Sequence, residues 1–84
     1  MNIQSFQPMT VLANSLLQVI APKPTDLTVK VLDVEGRMAK TLVTRVNSGQ
    51  QNICLNFEEL NSGAYILNAF SGGHFIKSFR FLKK

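Results

Sequence analysis

The residue types that most often carry out chemistry are scarce in this chain. It has one histidine, His74, and one cysteine, Cys54. A cysteine and a histidine act together as nucleophile and base only where the thiol lies in an exposed, activating cleft. Cys54 falls inside the alternating segment NICLNF, for which we predict a strand with a buried, inert thiol. The pattern therefore argues against nucleophilic catalysis, and we expect His74 to be an exposed turn residue.

The acidic side chains offer no better arrangement for catalysis or metal binding. Glu58 and Glu59 are adjacent, so their carboxylates diverge in an extended segment instead of sharing a proton. Asp33 and Glu35 flank a turn at Gly36, where an aspartate commonly accepts hydrogen bonds from its own backbone. Their spacing lacks the ligand count of a calcium loop, and a lone histidine makes no zinc site. We therefore predict no catalytic activity, no cofactor and no metal site.

Charge is distributed unevenly along the 84 residues, although the formal net charge is only +4. All five acidic residues precede Leu60, whereas Lys77, Arg80, Lys83 and Lys84 follow it. A basic end of this kind fits a solvated strand edge that resists aggregation. It also fits a docking face for an acidic partner or an anionic surface, such as a surface polysaccharide.

Three other classes of function find little support in the sequence. The segment FIKSFRFLKK combines basic and aromatic residues, as nucleic-acid-binding surfaces do. A core this small needs most of those phenylalanines, so we expect no nucleic-acid partner. The segment MNIQSFQPMTVL lacks the basic start and long apolar run of a secretory signal, and no stretch has the length of a membrane-spanning helix. We expect any export information to lie elsewhere in the chain or upstream in a parent protein.

The elements that must position these side chains are strands, because apolar residues recur at every second position and β-branched residues are frequent. The predicted strands are Thr10–Ala21, DLTVKVLDV, RMAKTLV, NICLNF, AYILNAF and HFIKSFRFL. Turn segments separate them, namely PKPT, VEGR, NSGQQ, EELNSG and SGG. This spacing, with no pattern for a crossover helix, predicts one all-β domain over residues 1–84. Its expected architecture is an antiparallel Ig-like or fibronectin-like β-sandwich of about seven strands.

The alternation also predicts which side chains point into the core. We expect Leu17, Val19, Met38 and Leu42 to point inward. In three other strands the alternation places one set of residues on a common face: Leu27, Val29 and Val31; Ile53, Leu55 and Phe57; and Tyr65, Leu67 and Ala69, which alternate with Ile66 and Phe70. Leu60 is expected to pack as a plug beneath a loop. In the last strand we place Phe75, Phe79 and Phe81 on one face, and Ile76 and Leu82 on the other. The ends, Met1–Gln4 and the terminal lysines, are expected to be loose.

Three motifs, VKVLDVEGRMAK, LNSGAYIL and FIKSFRFLKK, occur in this order. With them the chain resembles the C-terminal sorting domains of type IX secretion cargo, of the type A family. Those domains typically carry an Asp-x-x-Gly-Arg/Lys hairpin, a later glycine loop, Leu-x-Ser-Gly-x-Tyr-x-Leu, and a last strand ending in lysines. The matching positions are Asp33, Gly36, Arg37, Gly49, Leu60, Ser62, Gly63, Tyr65, Leu67, Lys77, Lys83 and Lys84. The resemblance runs from about Leu16 to Lys84, and departs from the family in the opening segment FQPM, which keeps only Pro8 of a Pro-Asn-Pro segment.

The resemblance implies a non-catalytic module that directs attached cargo across the outer membrane to the cell surface or the medium. It further implies recognition by the secretion translocon and processing by a sortase-like protease. Gly63 would permit the tight turn before a strand, Tyr65 would anchor that strand with its hydroxyl paired, and Lys83 and Lys84 would present charge at a flexible end. The fold is similar to that of Ig-like adhesion and carbohydrate-binding modules. These are the alternative, and they would require an exposed aromatic platform.

Overall fold

The computed structural model describes residues 1–84, and every regular element is a β-strand. The strands are β1 (Asn2–Gln7), β2 (Thr10–Val11), β3 (Asn14–Ala21), β4 (Thr25–Asp33), β5 (Met38–Val46), β6 (Gly49–Asn56), β7 (Gly63–Ser71) and β8 (His74–Lys83). The all-β prediction is confirmed, with eight strands where about seven were expected. The chain contains no helix with the length and apolar character needed to cross a membrane.

Two sheets form the sandwich. The smaller has the order β1-β3-β6, and the larger has the order β2-β8-β7-β4-β5. Neighbouring strands are antiparallel except for β2, which runs parallel to the end of β8. The chain crosses from the smaller to the larger sheet after Ala21, where Pro22 and Pro24 end strand pairing because they have no N–H to donate.

Period-2 alternation places most predicted core residues between the sheets, since successive side chains of a strand point to opposite faces. The buried members of the predicted set are Leu17, Val19, Leu27, Val29, Val31, Leu55, Phe57, Tyr65, Leu67 and Ala69. Leu42 and Ile53 are half-buried against this core. Leu60 is buried in the connection between β6 and β7, which confirms its prediction as a plug.

The prediction that Met38 lies in the core is wrong. A register shift between Val31 and Leu32 places Met38 opposite Leu32. The side chain of Met38 is 53% exposed as a result. A bulge of this kind changes the face on which a side chain emerges, and periodicity within one strand does not reveal it.

A second bulge reorganises the last strand. Ala69 of β7 pairs with Lys77, but the next residue, Phe70, pairs with Phe75. Ile76 is the extra residue between them and packs partly buried against the core, while Phe75 is 59% exposed.

The sequence-based assignment of faces in β8 is therefore wrong for two residues. Phe79 and Phe81 do face the interior, as half-buried and buried side chains. Phe75 was expected beside them but lies on the outer face, and Ile76 was expected on the outer face but contacts the core. The extra residue inverts the alternation at this point.

The N-terminal segment is ordered instead of loose. β1 begins at Asn2, and both Ile3 and Phe6 are buried. A register shift between Ile3 and Ser5 lets two residues three positions apart share a face, which hides the strand from a period-2 search. The predicted strand Thr10–Ala21 is likewise two strands in different sheets, separated at Leu12, which is 77% exposed.

Candidate functional site

The two side chains most suited to nucleophilic chemistry lie on different sheets. Cys54 is exposed on β6 of the smaller sheet, and His74 is exposed at the start of β8 in the larger one. The prediction of a buried thiol is wrong, because Ile53 and Leu55 take the inward positions of β6 and Cys54 alternates with them. No group of three or more His, Cys, Asp or Glu residues has the arrangement of a metal site.

Three motifs that are distant in the sequence meet at one end of the five-stranded sheet. Asp33 at the end of β4 pairs with Tyr65 near the start of β7, and Tyr65 pairs with Phe81 near the end of β8. Gly63 pairs with Lys83 in the same way. We call this region the motif end. It comprises the turn 33–37, the connection 57–63 and residues 81–84.

The turn at the motif end is closed by the carboxylate of Asp33. Its Oδ1 accepts hydrogen bonds from the backbone N–H groups of Glu35 and Arg37, at 2.9 and 3.0 Å. Its Oδ2 accepts a hydrogen bond from Nε of Arg37 at 2.9 Å. Gly36 supplies the positive φ of 81° that the turn requires, a conformation that costs glycine little. The Asp-x-x-Gly-Arg motif is therefore a self-contained β4–β5 turn.

These hydrogen bonds make the turn sensitive to acid. The backbone N–H of Arg37 is the main reason that the pKa of Asp33 lies below its ordinary value of 3.8, and desolvation opposes this effect. Because the folded-state pKa is the lower one, the stabilisation is complete above the unfolded-state pKa and is lost as the pH falls through the folded-state pKa. Glu59 also has a lowered pKa, chiefly because Nζ of Lys40 donates a hydrogen bond to it.

We expect Asp33→Asn to lower the urea midpoint at pH 6 and to reduce its further fall between pH 6 and pH 3, so that the wild-type and variant curves converge in acid. Glu59 contributes equally to the pH dependence of the urea midpoint in both proteins, so its contribution cancels when the two curves are compared. Asp26→Asn is the matched control, because Asp26 pairs only with the side chain of Arg45 and accepts no backbone N–H. Parallel curves for the wild type and Asp33→Asn would contradict this description of the turn.

An aromatic cluster lies directly beneath the motif end. Tyr65 is buried, its ring stacks on Phe81 with the centroids 5.5 Å apart, and its hydroxyl donates to the backbone carbonyl of Asn61 at 2.7 Å. Phe81 stacks on Phe57 at 4.8 Å and contacts Phe6 at 5.6 Å. The expectation that the Tyr65 hydroxyl finds a partner is confirmed. The cluster fixes the connection 57–63 relative to β8.

The C-terminal lysines are held in place, so the prediction of a flexible end is wrong. The backbone N–H of Lys84 donates to the carbonyl of Val11 at 2.8 Å, because β2 lies beside the end of β8. Nζ of Lys83 donates to the carbonyl of Leu60 at 3.2 Å, and the Lys83 side chain is half-buried. Lys84 is exposed. The motif end therefore presents charge from a fixed backbone.

The remaining residues of the predicted sorting motif lie elsewhere. Gly49 begins β6 opposite Ala21, at the far end of the smaller sheet. Lys77 lies further back along β8, with its Nζ 5.4 Å from the ring centroid of Phe79. Leu67 is fully buried in the core. The structure thus brings together Asp33, Gly36, Gly63, Tyr65, Lys83 and Lys84, but not Gly49 or Lys77.

An apolar groove adjoins the motif end on the outer face of the five-stranded sheet, and sequence reasoning did not predict it. Its volume is about 570 Å³, and Met9, Val34, Ile66, Leu82 and Arg80 contribute to its walls. Val34 is 77% exposed and Leu82 is 50% exposed. The sequence feature that could have indicated the groove is the presence of apolar residues on both faces of the last strand. Exposed apolar side chains grouped in this way mark surfaces that bind other molecules.

The structure thus defines a small two-sheet β-sandwich domain with an exposed apolar groove beside the motif end. The family model described as "secretion system C-terminal sorting domain" matches residues 13–82. The chain therefore belongs to this family, the C-terminal sorting domains of type IX secretion. Domains of this family are in general non-catalytic, and a tail of this kind marks a protein exported to the cell surface or secreted across the outer membrane.

Comparison with solved structures adds information about the fold only. The chain is similar to the alkylpurine DNA glycosylase AlkC of Pseudomonas fluorescens bound to DNA containing an abasic site analog, with a TM-score of 0.50 and 17% sequence identity. The similarity covers 99% of this chain but 30% of the glycosylase chain. No curated protein matches this chain.

Proposed function

We propose that the motif end and the adjoining groove are the surface by which the type IX translocon recognises this domain, so that attached cargo crosses the outer membrane. The observation that carries the proposal is the convergence of three family motifs beside an exposed apolar groove. Recognition of this kind needs a fixed arrangement of apolar and charged groups and no bond-breaking step. In this proposal the domain acts only by binding, and a sortase-like protease processes the protein after export.

The roles of individual residues follow from their positions. Asp33 and Gly36 hold the turn that carries Val34 into the groove, and Tyr65 fixes the start of β7. Lys84 and Arg80 add positive charge next to the apolar wall, which suits a partner surface that combines apolar and acidic side chains.

The alternative, an adhesion or carbohydrate-binding module, has less support. It requires an exposed aromatic platform, and Phe75 is the one aromatic side chain that is largely exposed. Phe75 packs edge-on against Phe70 at 5.7 Å, so its ring is engaged within the protein. An anionic polysaccharide partner has no specific observation in its favour.

The proposal is tested by fusing residues 1–84 to the C-terminus of a fluorescent protein that carries an inner-membrane export signal, in a bacterium that uses type IX secretion. We expect the fluorescence on the cell surface or in the medium. The same fusion in a strain without the translocon, and a fusion without the domain, should both stay in the periplasm. Periplasmic retention of the complete fusion, with the domain folded, would refute the proposal. Deleting Phe81–Lys84 should also abolish export, but this deletion removes a core residue and so tests folding as well.

A further inference from the structure

The smaller sheet differs from the larger one in carrying no charge. The chain has nine basic and five acidic residues, and none of them lies in β1, β3 or β6. Exposed positions of β6 are occupied by Gln50, Asn52, Cys54 and Asn56. Charged residues are depleted in the central part of protein–protein interfaces. The smaller sheet therefore has the composition of a surface that becomes covered.

The open edge of this sheet at β6 lacks the features by which proteins block edge-to-edge pairing. β6 pairs only with β3, in an uninterrupted register from Asn56 opposite Asn14 to Gly49 opposite Ala21. It contains no charged residue, no proline and no bulge. Natural edge strands are usually protected by at least one of these.

The other edges of the sandwich are protected. β5 carries Lys40 and Arg45 and has a bulge beside it. β8 carries Lys77 and Arg80, contains a bulge, and is covered at its end by β2. β1 has a register shift within its six residues. β6 alone is long, regular and neutral, which singles it out as an edge prepared for pairing.

The direction of the backbone groups of β6 follows from its pairing with β3. The N–H of Phe57 donates to the carbonyl of Ala13 at 2.7 Å and continues the β3–β6 ladder. In an antiparallel pair, hydrogen-bonded and non-hydrogen-bonded positions alternate. The odd-numbered residues of β6 therefore bond to β3. The even-numbered residues, Gln50, Asn52, Cys54 and Asn56, direct their N–H and C=O groups to the open edge.

We propose that the open edge of β6 pairs with the β6 strand of a second copy of this chain. The strands run antiparallel about a two-fold axis at Ile53. Gln50 then lies opposite Asn56 of the second copy, and Asn52 lies opposite Cys54 of the second copy. All four outward-directed residues of each strand form hydrogen-bonded pairs in this register, which gives about eight backbone hydrogen bonds across the axis.

The second copy is favoured over a different partner because β6 is complementary to itself. A two-fold antiparallel register places side-chain amides opposite uncharged groups, so no like charges meet. The net charge of +4 lies outside the smaller sheet, so no charged residue of this sheet takes part in the strand contact. The two motif ends point in opposite directions, and both grooves stay open.

The expected association is weak, because pairing along one strand edge buries less area than a standard interface. We expect a dissociation constant of about 10 µM to 1 mM. Sedimentation velocity over this concentration range should show reversible dimers for the wild type. Asn52→Lys places a charge at the centre of the contact and should leave a monomer with the wild-type circular dichroism spectrum. A wild type that is monomeric at 1 mM, or an Asn52→Lys variant that still dimerises, would overturn the proposal.

Disulfide trapping tests the register. Hydrogen-bonded antiparallel pairs have Cα atoms about 5.5 Å apart, within the range of a disulfide. Asn52→Cys should therefore form a covalent dimer with Cys54 of the second copy under mild oxidation. Asn56→Cys is the matched control, because Gln50 lies opposite it and no thiol of the second copy is within reach. Equal crosslinking of the two variants, or none by Asn52→Cys, would refute this register.

Discussion

Replacing Phe81 with alanine is expected to lower the free energy of unfolding by about 3–5 kcal/mol. Phe81 is 3% exposed, and its ring contacts Phe57, Tyr65 and Phe6. Removing it leaves a cavity at the centre of the aromatic cluster and ends three ring contacts, each worth about 0.5–1.5 kcal/mol beyond simple burial. A domain of this size has a total stability of about 4–13 kcal/mol. The substitution should therefore remove about a quarter of the stability at the upper end of this range and nearly all of it at the lower end.

Urea denaturation followed by circular dichroism measures this loss. Phe75→Ala is the matched control, since Phe75 lies on the same strand but is 59% exposed and has Phe70 as its aromatic neighbour. We expect the control to lose about 1 kcal/mol or less. Comparable losses in the two variants would contradict the bulge in β8, because they would mean that Phe75 also packs in the core.

Simple alternation within single strands was enough to predict which residues of β4 and β7 share a face. The segments DLTVKVLDV and AYILNAF pair with each other in one uninterrupted register, and the extra residues of the two bulges lie on their other neighbours, β5 and β8. In such segments the apolar residues recur with the same period of two as the side chains that point to one face of the strand. The turns at Gly36 and at Gly72–Gly73 were predictable for a similar reason, because glycine marks positive φ in short hairpins.

The errors come from places where pairing, and not periodicity, decides the face. The bulges at Val31–Leu32 and Ala69–Phe70 turn the side chains of Met38 and Phe75 outward. Nothing in the sequence around either residue marks a bulge. The β1 strand was missed because its inward residues are spaced by three. A bulge depends on the partner strand, so a pattern read along one segment does not show it.

Individual residues of the candidate site were predicted from the sequence, but their positions relative to one another were not. Asp33, Gly63 and Tyr65 were singled out individually, and their convergence at one end follows from the strand order β8-β7-β4, which the sequence did not specify. The terminal lysines were expected to be loose because the ends of a chain are poorly ordered unless another element holds them. The parallel contact of β2 with β8 holds them, and two residues are too few to be recognised as a strand.

Replacing Leu82 with aspartate is expected to abolish cargo export while the domain stays folded. Leu82 points away from the core and forms part of the groove wall beside the motif end. A carboxylate there would lose its hydration against the apolar side chains of the partner, compete for Arg80 in the same groove wall and repel acidic groups of the partner, which costs about 2 kcal/mol or more and weakens binding about thirtyfold or more. Because Leu82 is exposed, the substitution should leave the domain folded. The lower strand propensity of aspartate should reduce the stability by about 1 kcal/mol or less.

Val43→Asp is the matched control for this variant. Val43 is an apolar residue on β5, at the opposite edge of the same five-stranded sheet, and it is 61% exposed. It is not part of the groove. The substitution makes the same change of charge, so a general effect of added negative charge on export would appear in both variants. We expect the Val43→Asp fusion to leave the cell like the wild type.

The most direct measurement is the fraction of fluorescent fusion protein outside the cell for Leu82→Asp and Val43→Asp, taken together with the urea midpoint of each purified domain. If the groove beside the motif end is the surface that the translocon binds, both domains unfold near the wild-type midpoint, and the Leu82→Asp fusion alone remains in the periplasm. Export of a folded Leu82→Asp fusion at the wild-type level would show that the secretion machinery recognises a different part of the domain.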